Sequence, residues 1–220
     1  NIHRTSSNSR RISGEMIMNN IPIDILWEIL TDYDNLRVHV PNLVESKIID
    51  DGGADVVAVP TRVYQKGAQR IFGFEFGAAV TLDMREHIIS SRRQVIDFKC
   101  VDSQFFSEFD GSWIVEEYNN EEDDLSSSTT STSEPITIVR YIVDVRPKGV
   151  VPVAALEWRI KEDVPVNIVA VAKAATAAME RHQQELLSAQ QGRSSPPITD
   201  VPSQGTRSYQ RFQKDPTSST

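Results

Sequence analysis

Few residues in this chain have types and spacing that could do chemistry, and each admits a bland reading beside the sharp one. Tyr141, in ITIVRYIVDVRP, shares the phase of Val139, Val143 and Val145. It therefore points to the apolar side of a strand, where its hydroxyl could donate a hydrogen bond; a buried tyrosine with a satisfied hydroxyl is the plainer account. Arg70 shares the phase of Phe72 and could meet an anionic head group at a pocket mouth, or could simply snorkel to water. His182 falls on the inner stripe of a C-terminal helical pattern, where an exposed cap histidine competes with a proton shuttle. His39 and His87 sit beside expected loops with no carboxylate at a telling spacing. Serines, histidines and aspartates are plentiful, but no nucleophile elbow or glycine-rich phosphate loop frames them. One cysteine, Cys100, excludes an internal disulfide and a cysteine-based metal cage. No residue is assigned a catalytic role, and neither a metal nor a cofactor is expected.

The elements that would position these side chains follow from hydrophobic periodicity. In QRIFGFEFGAAVTLDMRE, Phe72, Phe74, Phe76, Ala78, Val80, Leu82 and Met84 alternate onto one face, while Gly73 and Gly77 suggest a bulge or strong curvature. Ile96 and Phe98 do the same in RQVIDFKCV. The sequence predicts strands over 12–19, 43–49, 61–69, 69–85, 92–101, 105–117 and 136–146. Pro22 opens a helix carrying Ile23, Leu26, Trp27 and Leu30 on one face, and a short turn spans 35–39 before Pro41. The longest pattern runs from Val164 to about Ser188. There Ile168, Val171, Ala172, Ala175, Met179, His182 and Leu186 share a stripe, and Pro165 suits a first helical turn. The order strand, helices, consecutive strands, helix is α+β, with helices on one face of an antiparallel sheet. An alanine-rich helix facing an aromatic sheet encloses either a cavity or a packed core, and both remain open.

Composition bounds the function. With 39% hydrophobic and 25% charged residues the chain has the make-up of a soluble globular protein. Net charge is −8, while residues 1–11 carry three arginines and no acid and residues 189–220 are also net basic. The body between is thus more acidic than the whole, a poor match to a phosphate backbone, so no nucleic-acid partner is expected. No apolar run reaches the roughly eighteen residues of a membrane span. Three segments read as disordered: a basic N-terminal stretch over 1–10, an acidic, Ser/Thr-rich hairpin insert over 119–135, and a Pro/Ser/Gln-rich tail over 189–220.

Three runs carry a resemblance. IPIDILWEILTDYDNLRVHVPNLVES, FFSEFDGSWIVEEY (with Phe106, Phe109, Gly111 and Trp113) and RPKGVVPVAALEWRIKEDVPVNIVAVAKAA occur in that order. Together they resemble the START-like (helix-grip) superfamily, in its polyketide cyclase/dehydrase and lipid transport, or coenzyme Q-binding, branch. The insert and the tail are departures from it. The resemblance covers about residues 11–187 and implies a curved sheet of about seven strands gripping the C-terminal helix, with two short helices after the first strand. It implies binding, transport or sensing of a lipid, isoprenoid quinone or polyketide-like molecule; a cyclase or aromatase acting in the same cavity, or a ligand-free scaffold, are the alternatives. Cavity-lining candidates are Phe72, Phe74, Phe76, Phe98, Phe109, Trp113, Tyr141, Ile168, Val171, Ala172, Ala175 and Met179. Arg70, Val151 and Leu156 are entrance candidates. The apolar run from Val150 to Leu156 is either a patch for transient membrane-surface contact or a last buried strand. A monomer is expected, and a plastid location is compatible with the resemblance and the basic, Ser- and Arg-rich start.

Overall fold

The computed structural model describes residues 1–50, 59–71, 74–118, 135–149 and 153–193, with the side chains of 68–71, 74–76, 153–156, 158–160 and 191–193 left aside. Two compact units result, Asn1–Gln183 and Gln184–Thr220. In the second, the C-terminal helix runs to Arg193 and Leu186 is exposed, so the apolar stripe stops short of it. The expected tail beyond 193 and the insert over 119–134 lie outside the described residues.

The first unit is an eight-stranded antiparallel sheet with helices. The elements of the chain are β1 (Ile2–Ser6), β2 (Ser9–Asn19), α1 (Ile23–Thr31), α2 (Leu36–His39), β3 (Leu43–Asp50), β4 (Thr61–Ile71), β5 (Phe74–Ser90), β6 (Arg93–Ser103), β7 (Phe106–Tyr118), β8 (Ile136–Pro147) and α3 (Val153–Arg193), the last of which begins in the first unit. The sheet order is β1-β2-β8-β7-β6-β5-β4-β3, so β2 crosses over to β8 and everything else is a meander. The α+β sheet-and-helix architecture expected from the sequence is present.

Two expectations need correction. The sheet has eight strands rather than about seven, because the basic start pairs as β1, with Ile2 opposite Ile12 and His3 opposite Arg11. The two short helices therefore follow the second strand. The last helix also begins much earlier than Val164. From Val153 the run AALEWRIKED is rich in strong helix formers, and it is helical rather than a final strand. Pro165 thus sits inside the helix. It is solvent-exposed, as is Lys161 one turn before it, whose carbonyl loses its amide partner on a face that water can reach.

The two faces of the sheet differ as alternation demands. The outer face is laced by ion pairs: Arg11 with Asp144 (2.7 Å), Arg62 with Asp83 (2.7 Å), and Arg140 with both Glu15 and Glu116. The inner face supplies Ile12, Val63, Ile96, Val115, Val139, Val143 and Val145, all nearly inaccessible, and α3 adds Val164, Ile168, Val171 and Ala175. Gly14 on β2 admits the helix: a Cβ there would stand 2.5 Å from Ile168 Cδ1 and 2.8 Å from Val164 Cγ1. Arg10 Nε donates to Glu157 Oε2 at 2.7 Å and ties β2 to the first turns of α3.

Candidate functional site

Between the inner face and α3, the first unit holds a cavity of about 210 Å³ that opens in part to solvent. Its position follows from strand period. Ala78, Val80, Leu82 and Met84 alternate inward along β5; Phe98, Phe106, Phe109, Trp113 and Tyr141 come from β6, β7 and β8. Leu30, Leu36, Val40, Asn42 and Leu43 close one side from α1, α2 and the entry to β3. Gln65 and Gly67 belong to β4, and Asp163, Val164 and Asn167 to α3.

The aromatic residues form a connected wall. Ring centroids lie 5.1 Å apart for Phe106–Phe109, 6.0 Å for Phe98–Phe109, 5.8 Å for Phe98–Tyr141 and 4.4 Å for Trp113–Tyr141. Such pairs contribute roughly 0.5–1.5 kcal/mol each beyond area burial. Local hydrogen bonds hold the wall's edge. Ladder pairing of β6 with β7 ends at Phe98–Gly111, and the Asp110 carboxylate then accepts from the Cys100 amide at 2.9 Å. Ser103 Oγ donates to the Ala79 carbonyl at 2.8 Å and accepts from the amides of Phe105 and Phe106, which sets the Phe106 ring.

The other pole is polar. Asn42 Nδ2 donates to Asp163 Oδ1 at 2.9 Å, and Gln65 Nε2 reaches Ser46 Oγ at 3.4 Å. Asn167 Oδ1 is enclosed and receives no hydrogen bond. An orphaned buried acceptor costs about 1–3 kcal/mol. The Tyr141 hydroxyl likewise has no hydrogen-bond partner among the described residues, in contrast to the satisfied phenol that a core tyrosine usually shows. Burial pushes its phenol upward, so it stays protonated and neutral. Among the described residues no group of three potential metal ligands occurs.

Phe98, Phe109, Trp113 and Tyr141 all line the cavity. The helix candidates do not. Val171 and Ala175 are sealed in the core, and Ala172 and Met179 pack on its margin. Ile168 instead borders a second hollow between β2 and α3, about 720 Å³ in volume, whose walls include exposed Asn1, Lys161, Pro165 and Val169, so water competes there. The side chains of Arg70, Phe74, Phe76 and Leu156, and residues Phe72 and Val151 entirely, lie outside what is described. His182 is exposed, and His87 pairs across strands with Asp97 at 3.3 Å, a partner that sequence spacing did not show. Leu30, Leu36, Val40, Asn42, Gln65, Asp163 and Asn167 went unpredicted. One signal was available: Asn167 lies three residues after Val164 and four before Val171, a polar residue beside an apolar stripe.

Residues 20–172 match the family model described as polyketide cyclase / dehydrase and lipid transport. The chain belongs to that family. Among solved structures, human STARD10 aligns at TM-score 0.55 and 12% identity, covering 89% of this chain and 82% of that one. TTHA0849 from Thermus thermophilus aligns at 0.53 and 12%, over 76% and 98%. The Zhui aromatase/cyclase from a Streptomyces species aligns at 0.50 and 16%, over 79% and 94%. No curated protein matches the chain. Identities this low speak for the fold, which is START-like. Membership of the polyketide cyclase / dehydrase and lipid transport family supports hydrophobic ligand binding or cyclase-type roles in general terms.

Proposed function

We propose that this chain binds a compact hydrophobic small molecule between sheet and α3 and carries or senses it. The observation that supports this reading is the partly open pocket under α3, aromatic and aliphatic over most of its wall. Its size narrows the ligand. An engineered apolar cavity of about 150 Å³ takes benzene, so about 210 Å³ suits a one- or two-ring molecule or a short chain. A diacyl lipid or a long isoprenoid tail would have to extend beyond this volume through its open side. Removing about 200 Å² of apolar ligand surface from water is worth roughly 5 kcal/mol. That gain alone corresponds to about 0.2 mM and ordering costs reduce it, so affinities in the sub-millimolar to millimolar range are expected.

Native mass spectrometry of the protein from its own host, followed by organic extraction, tests the reading. A near-stoichiometric apolar compound of modest mass supports it; a mass that stays free of ligand after exposure to a total lipid and metabolite extract counts against it. A second reading, a cyclase acting on a polyketide-like substrate, draws on the neutral, unpartnered Tyr141 hydroxyl beside the cavity, a hydrogen-bond donor for a substrate carbonyl. Ring formation from a short poly-β-keto thioester that is lost in Tyr141→Phe would favour it over simple carriage.

A further inference from the structure

The inner face of β7 and β8 carries two hydrogen-bond donors with nothing to donate to. Trp113 and Tyr141 are register partners across these strands, with ring centroids 4.4 Å apart, and both line the cavity. Neither the indole N–H nor the phenol O–H has a hydrogen-bond partner among the described residues. Donors drawn out of water are nearly always paired. Access separates these two from the other unpaired groups. Among the described residues, the side-chain polar atoms sealed off without a partner are Gln94 Oε1 and Asn167 Oδ1, which a ligand in the cavity does not reach. Trp113 and Tyr141 instead keep accessible surface, while Val115, Val139 and Val143, in phase with them on the same strands, keep none. That surface faces the cavity. The indole N–H is a donor only, and burial holds the phenol proton in place. Neither donor carries a charge, and no lysine or arginine lines the cavity among the described residues. This wall therefore suits a neutral acceptor oxygen rather than a carboxylate, whose desolvation it does not offset.

We propose that the ligand carries a neutral carbonyl-type oxygen, which accepts from the Tyr141 hydroxyl beside Trp113 while its ring lies against Phe98 and Phe109. This rests on the cavity-binding reading above and adds to it the ligand's functional group and the end of the ligand that meets β8. Pure hydrocarbons gain nothing from the polar groups of this wall, and acids are disfavoured at it.

Three compounds of one shape provide the test, titrated by NMR against the full chain: acetophenone (acceptor), α-methylstyrene (the same skeleton with no polar atom) and benzoate (anion). Tyr141→Phe removes one hydroxyl and should weaken acetophenone about fivefold, the worth of one ordinary hydrogen bond, while α-methylstyrene changes by less than about twofold. Comparing the two ligands across the variant cancels their different hydration. A direct signature accompanies it. The ¹³C resonance of the carbonyl in bound acetophenone should lie downfield of its position in an alkane and move back toward that position in Tyr141→Phe. Equal effects of the variant on both compounds, a bound carbonyl resonance at its alkane position, binding of the hydrocarbon alone, or benzoate tighter than acetophenone overturns this inference and leaves cavity binding standing. Failure of all three to bind overturns both. Should Tyr141→Phe not fold, the carbonyl resonance and the benzoate comparison on the unmodified chain decide.

Discussion

Gly111 lies beneath the ring of Phe98: a Cβ at position 111 would stand 2.7 Å from Phe98 Cζ and would run into the Ile142 carbonyl oxygen of the neighbouring strand. The two residues are also register partners across β6 and β7. Absence of a side chain at 111 therefore lets the Phe98 ring lie flat against the sheet, from where it reaches both Phe109 and Tyr141. Gly111→Ala is expected to destabilise by about 3 kcal/mol, the upper end for overpacking, because a backbone carbonyl cannot yield as a side chain can. Urea denaturation checks this, and a loss below about 1 kcal/mol would mean that β8 shifts freely.

The contact of Gly14 with α3 should behave differently, since what a Cβ meets there is the flexible end of Ile168 and a methyl of Val164. Gly14→Ala should cost about 1–2 kcal/mol. Ile168→Val removes the nearer methyl and costs about 1 kcal/mol alone. Combined, the two should cost less than their sum by at least about 0.5 kcal/mol. Strict additivity in a double-mutant cycle would show that the helix does not press on β2 at this point.

Much of this frame was legible beforehand because the strands alternate cleanly. Val139, Val143 and Val145 face inward and Arg140, Asp144 and Arg146 outward, as period two requires. Pro22 before Ile23–Thr31 and Pro41 after Leu36–His39 marked the short helices equally well. The site was less legible, and its omissions share a cause. Pro165 looks like a helix start, and a helix that begins at Val164 leaves Asp163 outside it rather than on the cavity wall one turn from Asn167. Proline's cost in a helix interior, about 3 kcal/mol, is a property of unsupported helices; here α3 is anchored on both sides of Pro165, by Arg10–Glu157 before it and by Ile168 and Val171 after it. The contributions of Leu36, Val40 and Asn42 depend on where α2 crosses the sheet, a tertiary fact without periodic trace.

Two tyrosines should set the alkaline limit of stability. Burial, then the charge of Glu86 and the 2.9 Å hydrogen bond to it, pushes the Tyr33 phenol up; burial alone does so for Tyr141. The folded state holds both protons more tightly than the unfolded chain, where a phenol titrates near about 10. Their stabilisation is therefore complete below about pH 10 and is lost as pH rises beyond it. Urea midpoints at pH 8 and pH 11 should fall more for the unmodified chain than for Tyr33→Phe or Tyr141→Phe. At pH 8, Tyr33→Phe should cost about 1–2 kcal/mol through its lost hydrogen bond, whereas Tyr141→Phe, with no protein partner to lose, should be close to neutral.

Filling the cavity separates stability from binding. Ala78 on β5 lines it, beside Val80 and opposite the aromatic wall. Ala78→Leu adds three carbons into existing space, so the protein should keep its stability or gain about 1 kcal/mol, as cavity-filling changes commonly do. The same carbons occupy the volume a ligand would need, and binding of any two-ring compound should weaken by at least about tenfold. Thermal denaturation and calorimetric titration on one sample give both numbers. Unchanged affinity in a folded Ala78→Leu protein would move the binding site elsewhere, with the open hollow between β2 and α3 the next place to look. Lower stability would instead mean that the space beside Ala78 is too shallow for a leucine, so the cavity must be narrower there than its volume suggests.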